Sequence, residues 1–190
     1  GQNLHWESKG AFTGEISAQM LLSAGCTHVI IGHSERRQYF GETDETVNKK
    51  IGAAVDAGLV PVMCIGETEA EREAGNTFSI LDKQIQKGLE GFSFERLKRL
   101  VVAYEPVWAI GTGKTATSDQ AQEAHRYIRD QLEKSFGAAA AGSVRILYGG
   151  SVKPDNIAEL MARPDLDGAL VGGASLDPEV FSRIVHYQKG

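Results

Sequence analysis

The chain has 190 residues with a formal net charge of −5; 42% of them are hydrophobic and 24% are charged. This length predicts one domain with a sizeable core, and the acidic balance lacks the basic surface typical of nucleic-acid binding. No apolar run approaches the ~18 residues of a membrane span, and the first residues do not resemble a signal peptide. The two cysteines, Cys26 and Cys64, lie in or beside apolar runs. Free thiols in a cytoplasmic protein are the preferred interpretation, with a disulfide or catalytic pair as alternatives.

Short apolar runs bounded by glycine or proline alternate with charged segments of helical period. Residues 1–14 are expected to form a loop leaving the tail of a strand, and residues 15–25 a helix. The predicted strands lie at 27–33, 58–66, 99–106, 144–150 and 167–173, and the later helices at 44–58, 68–89, 118–136, 154–162 and 177–189. Because these strands are apolar almost throughout, they suit a parallel sheet buried on both faces. The alternation predicts an α/β fold.

Cap residues and an apolar stripe support the predicted helices. Thr43, Ser118 and Asp177 stand at expected N-cap positions. In the helix at 118–136, an inward-facing stripe would be formed by Ala121, Ala124, Ile128 and Leu132.

The stretch IIGHSERR at 30–37 places His33 at the end of a predicted strand, before a helix that Ser34 can cap. The positive end of the helix dipole disfavours an imidazolium ion. His33 is therefore expected to act as a neutral hydrogen-bond donor. A structural histidine is the alternative.

The stretch AYEPVWAIGTGKT at 103–115 places Glu105 at another strand end, directly before Pro106. Partial desolvation makes a carboxylate a better base near neutral pH. A structural glutamate paired with an arginine is the alternative. The glycines that follow predict a lid with backbone N–H groups at its tip, since a surface loop rarely exposes residues such as Trp108 and Ile110.

The same stretch fits nucleotide-binding motifs poorly. A P-loop requires a glycine five residues before Gly113, where this chain has Trp108. GTGKTA nominally satisfies G-x-G-x-x-A, but its first glycine lies five residues after Pro106 rather than directly after the strand. Glu133, at the distance of a ribose-binding acid, falls within a predicted helix, so a Rossmann site is disfavoured.

Two similar glycine motifs end consecutive strands, ILYGGS at 146–151 and ALVGGAS at 169–175. Each glycine pair allows backbone amides to approach a ligand closely, and each leads towards a predicted helix. Two such motifs in succession are typical of a barrel phosphate site. Ordinary tight turns are the alternative.

Five stretches, GAFTGE, IGHSERR, AYEPVWAIGTGKTAT, YGGSV and LVGGASL, resemble the triosephosphate isomerase family in this order. They span nearly the whole chain, and an uninterrupted match such as YEPVWAIGTGKT is highly specific. The resemblance implies a TIM (β/α)8-barrel fold in a single domain over residues 1–190. It also implies interconversion of dihydroxyacetone phosphate and glyceraldehyde 3-phosphate in glycolysis and gluconeogenesis, with no metal or organic cofactor. A glutamate base, a neutral histidine and a closing lid are the family's established chemistry.

The resemblance implies a role for each matching residue. Glu105 would move a proton between the two substrate carbons, His33 would polarise the substrate oxygens, and Glu35 would belong to the supporting polar network. The phosphate contacts would come from Gly111, Ser151, Gly172 and Gly173. The lid would comprise Pro106, Val107, Trp108, Ala109, Ile110, Gly111, Thr112, Gly113, Lys114, Thr115 and Ala116, and Tyr148 would latch it. The loop around Thr13 would enter a neighbouring subunit, so a homodimer is expected.

The chain departs from the family at its beginning. A full barrel takes about 250 residues, and the family's first two strand–helix units and most of its third strand have no counterpart here. The chain therefore resembles an N-terminally truncated barrel of about units three to eight. A fragment, a natural truncation and residues preceding Gly1 are all compatible with this.

The family's first strand also carries an asparagine and a lysine that contact substrate, and neither is matched here. Lys9 and Lys114 lie in other matched segments. Because a cation stabilises developing negative charge, residues 1–190 alone are expected to isomerise poorly. The alternative function is a phosphate-binding or oligomerising remnant, whose open sheet edges favour swapped or extended oligomers.

Overall fold

Five parallel strands form one sheet in the computed structural model, which describes residues 1–110 and 114–188. The strands are β1 (His28–Ile31), β2 (Val60–Ile65), β3 (Val101–Tyr104), β4 (Arg145–Tyr148) and β5 (Gly168–Ala169). They pair in chain order, and every neighbouring pair is parallel. The predicted α/β architecture and all five predicted strands are confirmed, although β5 spans only two residues.

Helices precede, connect and follow these strands. They are α1 (Ala18–Ser23), α2 (Ser34–Tyr39), α3 (Asp44–Asp56), α4 (Glu69–Glu73), α5 (Thr77–Gly88), α6 (Phe94–Leu97), α7 (Ser118–Phe136), α8 (Ala138–Ser143), α9 (Ile157–Met161) and α10 (Pro178–Val185). The single helix predicted at 68–89 is wrong: the chain breaks it into α4 and α5, with Gly75 between them at a φ of 74°. The sequence analysis missed α6 and α8, which are too short to show a helical period.

The predicted caps are confirmed at two of three positions. Thr43 caps α3 and Asp177 caps α10 through their side chains. The N-cap of α7 is Thr117 rather than Ser118, because Thr117 and Gln120 form a reciprocal capping box.

The sheet buries the face that packs against the helices, whereas the other face is buried only in part, mainly at β2 and β3. The residues facing the helices include Val29, Ile31, Met63, Ile65, Val102, Tyr104, Ile146 and Tyr148. The other face is formed by Ile30, Val62, Cys64, Val101, Ala103, Leu147 and Leu170. The predicted stripe on α7 is confirmed, with Ala121, Ala124, Ile128 and Leu132 all buried. Both cysteines are free thiols; Cys64 is buried, and Cys26 is half-buried.

The two outer strands differ in what lies beside them. Gly1 accepts a hydrogen bond from the Ile30 N–H at 2.9 Å and donates to the His28 carbonyl at 2.7 Å, so this residue lies beside β1. Within residues 1–110 and 114–188, β5 pairs with β4 alone. None of the described helices is long and apolar enough to cross a membrane, and no three potential metal ligands of the described chain come together.

A buried histidine on α7 makes stability depend on pH. Burial lowers the pKa of His125 from 6.5 to about 4. Between these values the unfolded chain binds a proton that the folded chain does not, so stability falls as the pH falls. We expect His125 to account for about 3 kcal/mol of that loss by pH 4.

Urea unfolding across this pH range measures the effect. His125→Asn should flatten the dependence, whereas His28→Asn, at an exposed histidine, should leave it unchanged. A dependence that is equally steep in His125→Asn would contradict the assignment.

Candidate active site

A cavity of about 1010 Å³ opens where the strands end. It brings together His33 after β1, Glu105 after β3, Ser151 after β4, and Gly172 and Gly173 after β5. Parallel strands direct their carboxyl ends to one side of a sheet, so residues far apart in sequence meet there. The residues singled out at four strand ends therefore share one cavity wall.

Glu105 is the most enclosed of these groups, with only 1% of its surface exposed. One carboxylate oxygen, Oε1, lies 2.9 Å from the His33 Nε2. The other, Oε2, accepts the Ser34 backbone N–H at 3.0 Å, and the Ser34 hydroxyl donates to Oε1 at 3.4 Å. The carboxylate therefore contacts a histidine and a serine, and no arginine among the described residues pairs with it.

Two glycines leave room for the backbone and the side chain of Glu105. A Cβ added at Gly66, just after β2, would lie 1.7 Å from the Glu105 carbonyl oxygen. A Cβ added at Gly149, just after β4, would lie 2.9 Å from the Glu105 Cγ. Neither contact is sterically tolerable, so the ends of the two flanking strands must lack side chains here.

His33, rather than the predicted Ser34, caps α2. Its Nδ1 accepts the Glu35 backbone N–H at 3.2 Å. Because Nδ1 accepts, Nε2 carries the proton of the neutral ring and donates towards Glu105. The expected effect of the helix dipole on protonation is overridden, because the hydrogen bond with Glu105 raises the pKa of His33 and outweighs burial, which lowers it.

A buried ionic cluster fixes the backbone just before His33. Glu42 accepts the Gly32 N–H at 2.8 Å through Oε1, and Arg36 Nε and Lys50 Nζ at 2.8 Å each through Oε2. Burial acts to raise the pKa of Glu42, but hydrogen bonds from Lys50, Arg36 and Gly32 lower it overall. The supporting network is thus centred on Glu42, which the sequence analysis did not identify.

Glu35, which was expected in that network, lies elsewhere. Its side chain is exposed and lines the cavity. Within the described chain the Glu35 carboxylate makes no hydrogen bond. Its negative charge is one of the smaller causes that raise the pKa of His33.

A third buried carboxylate, that of Glu67, binds the first part of the predicted lid. Glu67 is completely buried and accepts hydrogen bonds from the Tyr104 hydroxyl at 3.1 Å and the Trp108 indole N–H at 2.9 Å. Arg72 pairs with Glu67 at 3.2 Å, and its guanidinium lies 4.3 Å from the Trp108 ring centre. Trp108 is thereby withdrawn from solvent, as predicted.

The rest of the predicted lid lies before and after residues 111–113 in the sequence. Pro106 precedes a 3-10 turn at Val107–Ala109, and Ile110 is half-buried. Further along the chain, Lys114 pairs with Glu69, Thr115 is exposed and Ala116 is buried. Gly111, Thr112 and Gly113 lie outside the described residues.

Tyr148, the predicted latch, is fully buried at the end of β4. Burial raises the pKa of Tyr148 to about 12, and the facing backbone N–H of Ala116 acts in the opposite direction. A Cβ at Gly150 would lie 2.3 Å from this hydroxyl, so the tyrosine requires that glycine. At Gly172 and Gly173 a Cβ would meet nothing within 4 Å, which leaves their backbone accessible from the cavity.

Comparison with known proteins identifies the family. The family model for triosephosphate isomerase matches residues 1–188. The chain belongs to the triosephosphate isomerase family. Among relatives named triosephosphate isomerase, that of Citrifermentans bemidjiense is 63% identical over 188 residues, covering 99% of this chain and 75% of the relative. The corresponding protein of Geobacter metallireducens is 63% identical, covering 98% and 74%. That of Moorella thermoacetica is 61% identical, covering 99% and 75%. About a quarter of each of these triosephosphate isomerases therefore lies outside the part matched here.

Gly66→Ala should displace Glu105. Because the added Cβ would overlap the Glu105 carbonyl, we expect a loss of stability of about 2 kcal/mol or more, as for overpacking in a core. Urea unfolding measures this loss. The control is Gly52→Ala on α3, where the nearest atom is 3.6 Å away and alanine should be neutral or stabilising. Equal stability of the two variants would contradict the close approach.

Glu67→Gln should loosen Trp108. The amide loses the ion pair with Arg72 and one acceptor oxygen, so we expect a loss of about 1–3 kcal/mol and a red shift of the tryptophan emission. Glu73→Gln, an exposed change on α4, should alter neither. Unchanged emission in Glu67→Gln would show that this contact does not hold the indole.

Proposed function

We propose that this chain carries the active site of a triose-phosphate isomerase, which interconverts dihydroxyacetone phosphate and glyceraldehyde 3-phosphate. The observation that supports this most directly is the Glu105–His33 pair at 2.9 Å on the wall of a cavity that also exposes the Gly172 and Gly173 backbone. A base and a neutral donor face the same space as a backbone surface suited to phosphate. This is the equipment that an enolisation requires.

The proposed reaction is a proton transfer between neighbouring carbons. Glu105 takes a proton from C1 of dihydroxyacetone phosphate while the His33 Nε2–H donates to the C2 oxygen. The C1–H electrons form the C1–C2 double bond of an enediol, and the carbonyl electrons move to oxygen. Glu105 returns the proton to C2, and the hydroxyl proton on O1 passes to the His33 Nε2, which gave its own proton to O2, as the new carbonyl forms. Atoms and electrons balance within the substrate and these two side chains.

The resting contacts of Glu105 are compatible with this role. Ser34 and His33 hold the carboxylate by hydrogen bonds, and no arginine or lysine of the described chain pairs with it. Movement of Glu105 away from His33 would also remove the main cause of the raised His33 pKa. His33 would then be neutral when it faces the substrate.

The phosphate would bind to backbone N–H groups after β4 and β5. Ser151, Gly172 and Gly173 line the cavity, and none of the three has a bulky side chain. Residues 106 to 116 would close over the ligand, with Gly111 donating to the phosphate and Tyr148 latching the closed segment. Glu35 would tune His33 by its charge.

We also propose a cytoplasmic homodimer. The loop that carries Thr13 exposes Phe12 and Ile16, and the adjoining α1 exposes Met20; 43%, 48% and 59% of these three side chains are accessible. Apolar groups clustered on one loop and helix are typical of a protein–protein interface.

Glu105→Gln should abolish the base. General base catalysis typically contributes 10²–10⁴-fold, so we expect kcat to fall by about that factor with little change in folding. The assay follows conversion of glyceraldehyde 3-phosphate by protein of verified intact mass. Glu95→Gln, at an exposed glutamate of α6, is the matched control and should retain full activity. An unchanged rate in Glu105→Gln would refute the base assignment.

The alternative function has its own outcome in the same assay. In the described chain β5 pairs with β4 alone, and this unpaired edge is the observation that would suit a binding or oligomerising remnant. If the wild-type protein binds inorganic phosphate but does not isomerise, the remnant is correct and the isomerase proposal is wrong. A lysine supplied to the cavity by this or an associated chain would favour the enzyme.

A further inference from the structure

Gly32, which directly precedes His33, lies just beyond the end of the sheet. The register of β1 with β2 ends at Ile31. The Gly32 N–H donates to Glu42 at 2.8 Å, and the Gly32 carbonyl accepts the Arg37 Nε at 2.8 Å. Both backbone polar groups of Gly32 therefore bind side chains, and the ladder between β1 and β2 does not reach His33.

The Arg37 guanidinium joins three parts of the fold. Besides Gly32 at the end of β1, it binds the Cys64 carbonyl on β2 through Nη2 at 3.3 Å and Asp44 at the start of α3 through Nη1 at 2.6 Å. Only 18% of the Arg37 side chain and 11% of the Asp44 side chain are exposed. Three acceptors in three directions match the planar fork of arginine, whereas the single ammonium of lysine is a point charge. The contacts therefore specify arginine at this position.

The turn at Gly32 packs directly against the contact of Arg37 with Cys64. Gly32 has a φ of 78°, which favours glycine. A Cβ added there would lie 3.0 Å from Val47 Cγ2 and 3.1 Å from both the Arg37 Nη2 and the Cys64 carbonyl oxygen. A displacement of the guanidinium would therefore also displace the backbone that leads into His33.

The Cys64 end of this bridge leads to the proposed base. Cys64 lies opposite Ala103 in the register of β2 with β3, and Glu105 follows two residues after Ala103. The ladder thus fixes Glu105 relative to Cys64, whereas Arg37 links Cys64 to the residue before His33. The 2.9 Å contact between His33 and Glu105 spans these two links.

We propose that Arg37 is a positioning residue for the isomerase site: it holds Gly32 against Cys64 and thereby places the His33 ring beside Glu105. The proposal rests on the proposed function. Arg37 does not belong to the described residues that line the cavity, so it acts on the reaction only through the placement of His33.

Arg37→Lys, in the protein that carries this chain, tests the proposal. Lysine keeps the charge that pairs with Asp44 but loses the fork that binds both carbonyls. We expect kcat for glyceraldehyde 3-phosphate to fall about 10- to 100-fold with little change in KM, as for a small misplacement of a catalytic group. Arg96→Lys, at the exposed pair of Arg96 with Asp56, is the matched control and should retain the wild-type kcat. A wild-type kcat in Arg37→Lys would overturn the proposal.

An NMR titration of His33 gives a readout that does not require activity, and loss of its signal in His33→Asn assigns it. The hydrogen bond with Glu105 is the main cause of the raised pKa of His33, and the charges of Glu35 and Glu42 add smaller contributions. If the ring moves away from Glu105 in Arg37→Lys, the pKa of His33 should fall towards 6.5. A His33 pKa equal to that of the wild type in this variant also contradicts the proposal.

Ile128→Ala separates positioning from stability. Ile128 is fully buried on α7 and does not line the cavity, so this variant should lower the melting temperature at least as much as Arg37→Lys. It should leave kcat and the pKa of His33 unchanged. If Ile128→Ala reduces both as much as Arg37→Lys does, Arg37 is only structural and the proposal is wrong.

A double-mutant cycle with Asp44→Asn tests whether the arginine and its partner act as a unit. Asp44→Asn should lower kcat less than Arg37→Lys, and the double variant should be about as slow as Arg37→Lys alone, since both changes disturb one guanidinium. Strictly additive effects would overturn the proposal. Where Arg37→Lys does not fold, Asp44→Asn decides alone, by lowering kcat and the pKa of His33 or by leaving both unchanged. If the wild-type protein does not isomerise at all, the proposed function fails, while the pKa of His33 still decides the role of Arg37.

Discussion

The end of β3, where Glu105 lies, packs between Gly66 after β2 and Gly149 after β4, and the geometry of the site depends on these close contacts. The Glu105 carbonyl occupies the space that a side chain at Gly66 would need, 1.7 Å from its ideal Cβ. The Gly149 N–H donates to the Tyr104 carbonyl at 2.7 Å on the other side. Because three strand ends converge so closely, the sheet itself positions the carboxylate beside His33 and Ser34. Rigid strands position catalytic groups more accurately than loops do.

Three carboxylates are buried near the strand ends, and their partners distinguish them. Glu42 is paired with Arg36 and Lys50, and Glu67 with Arg72. Within the described chain, Glu105 pairs with no arginine or lysine and is held by His33 and by Ser34. A buried carboxylate is costly to separate from a permanent counter-ion, whereas histidine can lose its charge by releasing a proton and serine carries none. The group best able to change partners is thus the proposed base, and the two paired carboxylates hold the backbone around it.

Local patterns in the sequence predicted most of the elements and several site residues. The strands, the stripe on α7 and the caps Thr43 and Asp177 all follow from short-range periodicity and capping chemistry. His33 and Glu105 stood out because each ends an apolar run. Glu67 follows β2 in the same way, after Gly66, and the same rule would have found it. Glu42 and His125 carry no such signal, because one lies in a loop and the other in a helix of ordinary polarity.

The sequence by itself determined the parallel α/β architecture, the family and the strand ends at which the candidate site lies. Those properties depend on neighbouring residues and on long specific matches, both of which are visible along the chain. Only the tertiary structure decided which partners each buried charge has, that His33 rather than Ser34 caps α2, and that His125 packs against the rings of Tyr104 and Tyr148. Their physical cause is the convergence of strands and helices that are distant in sequence. Contacts of this kind produce no periodic pattern in the sequence, because the residues around each partner follow only the pattern of its own helix, strand or loop.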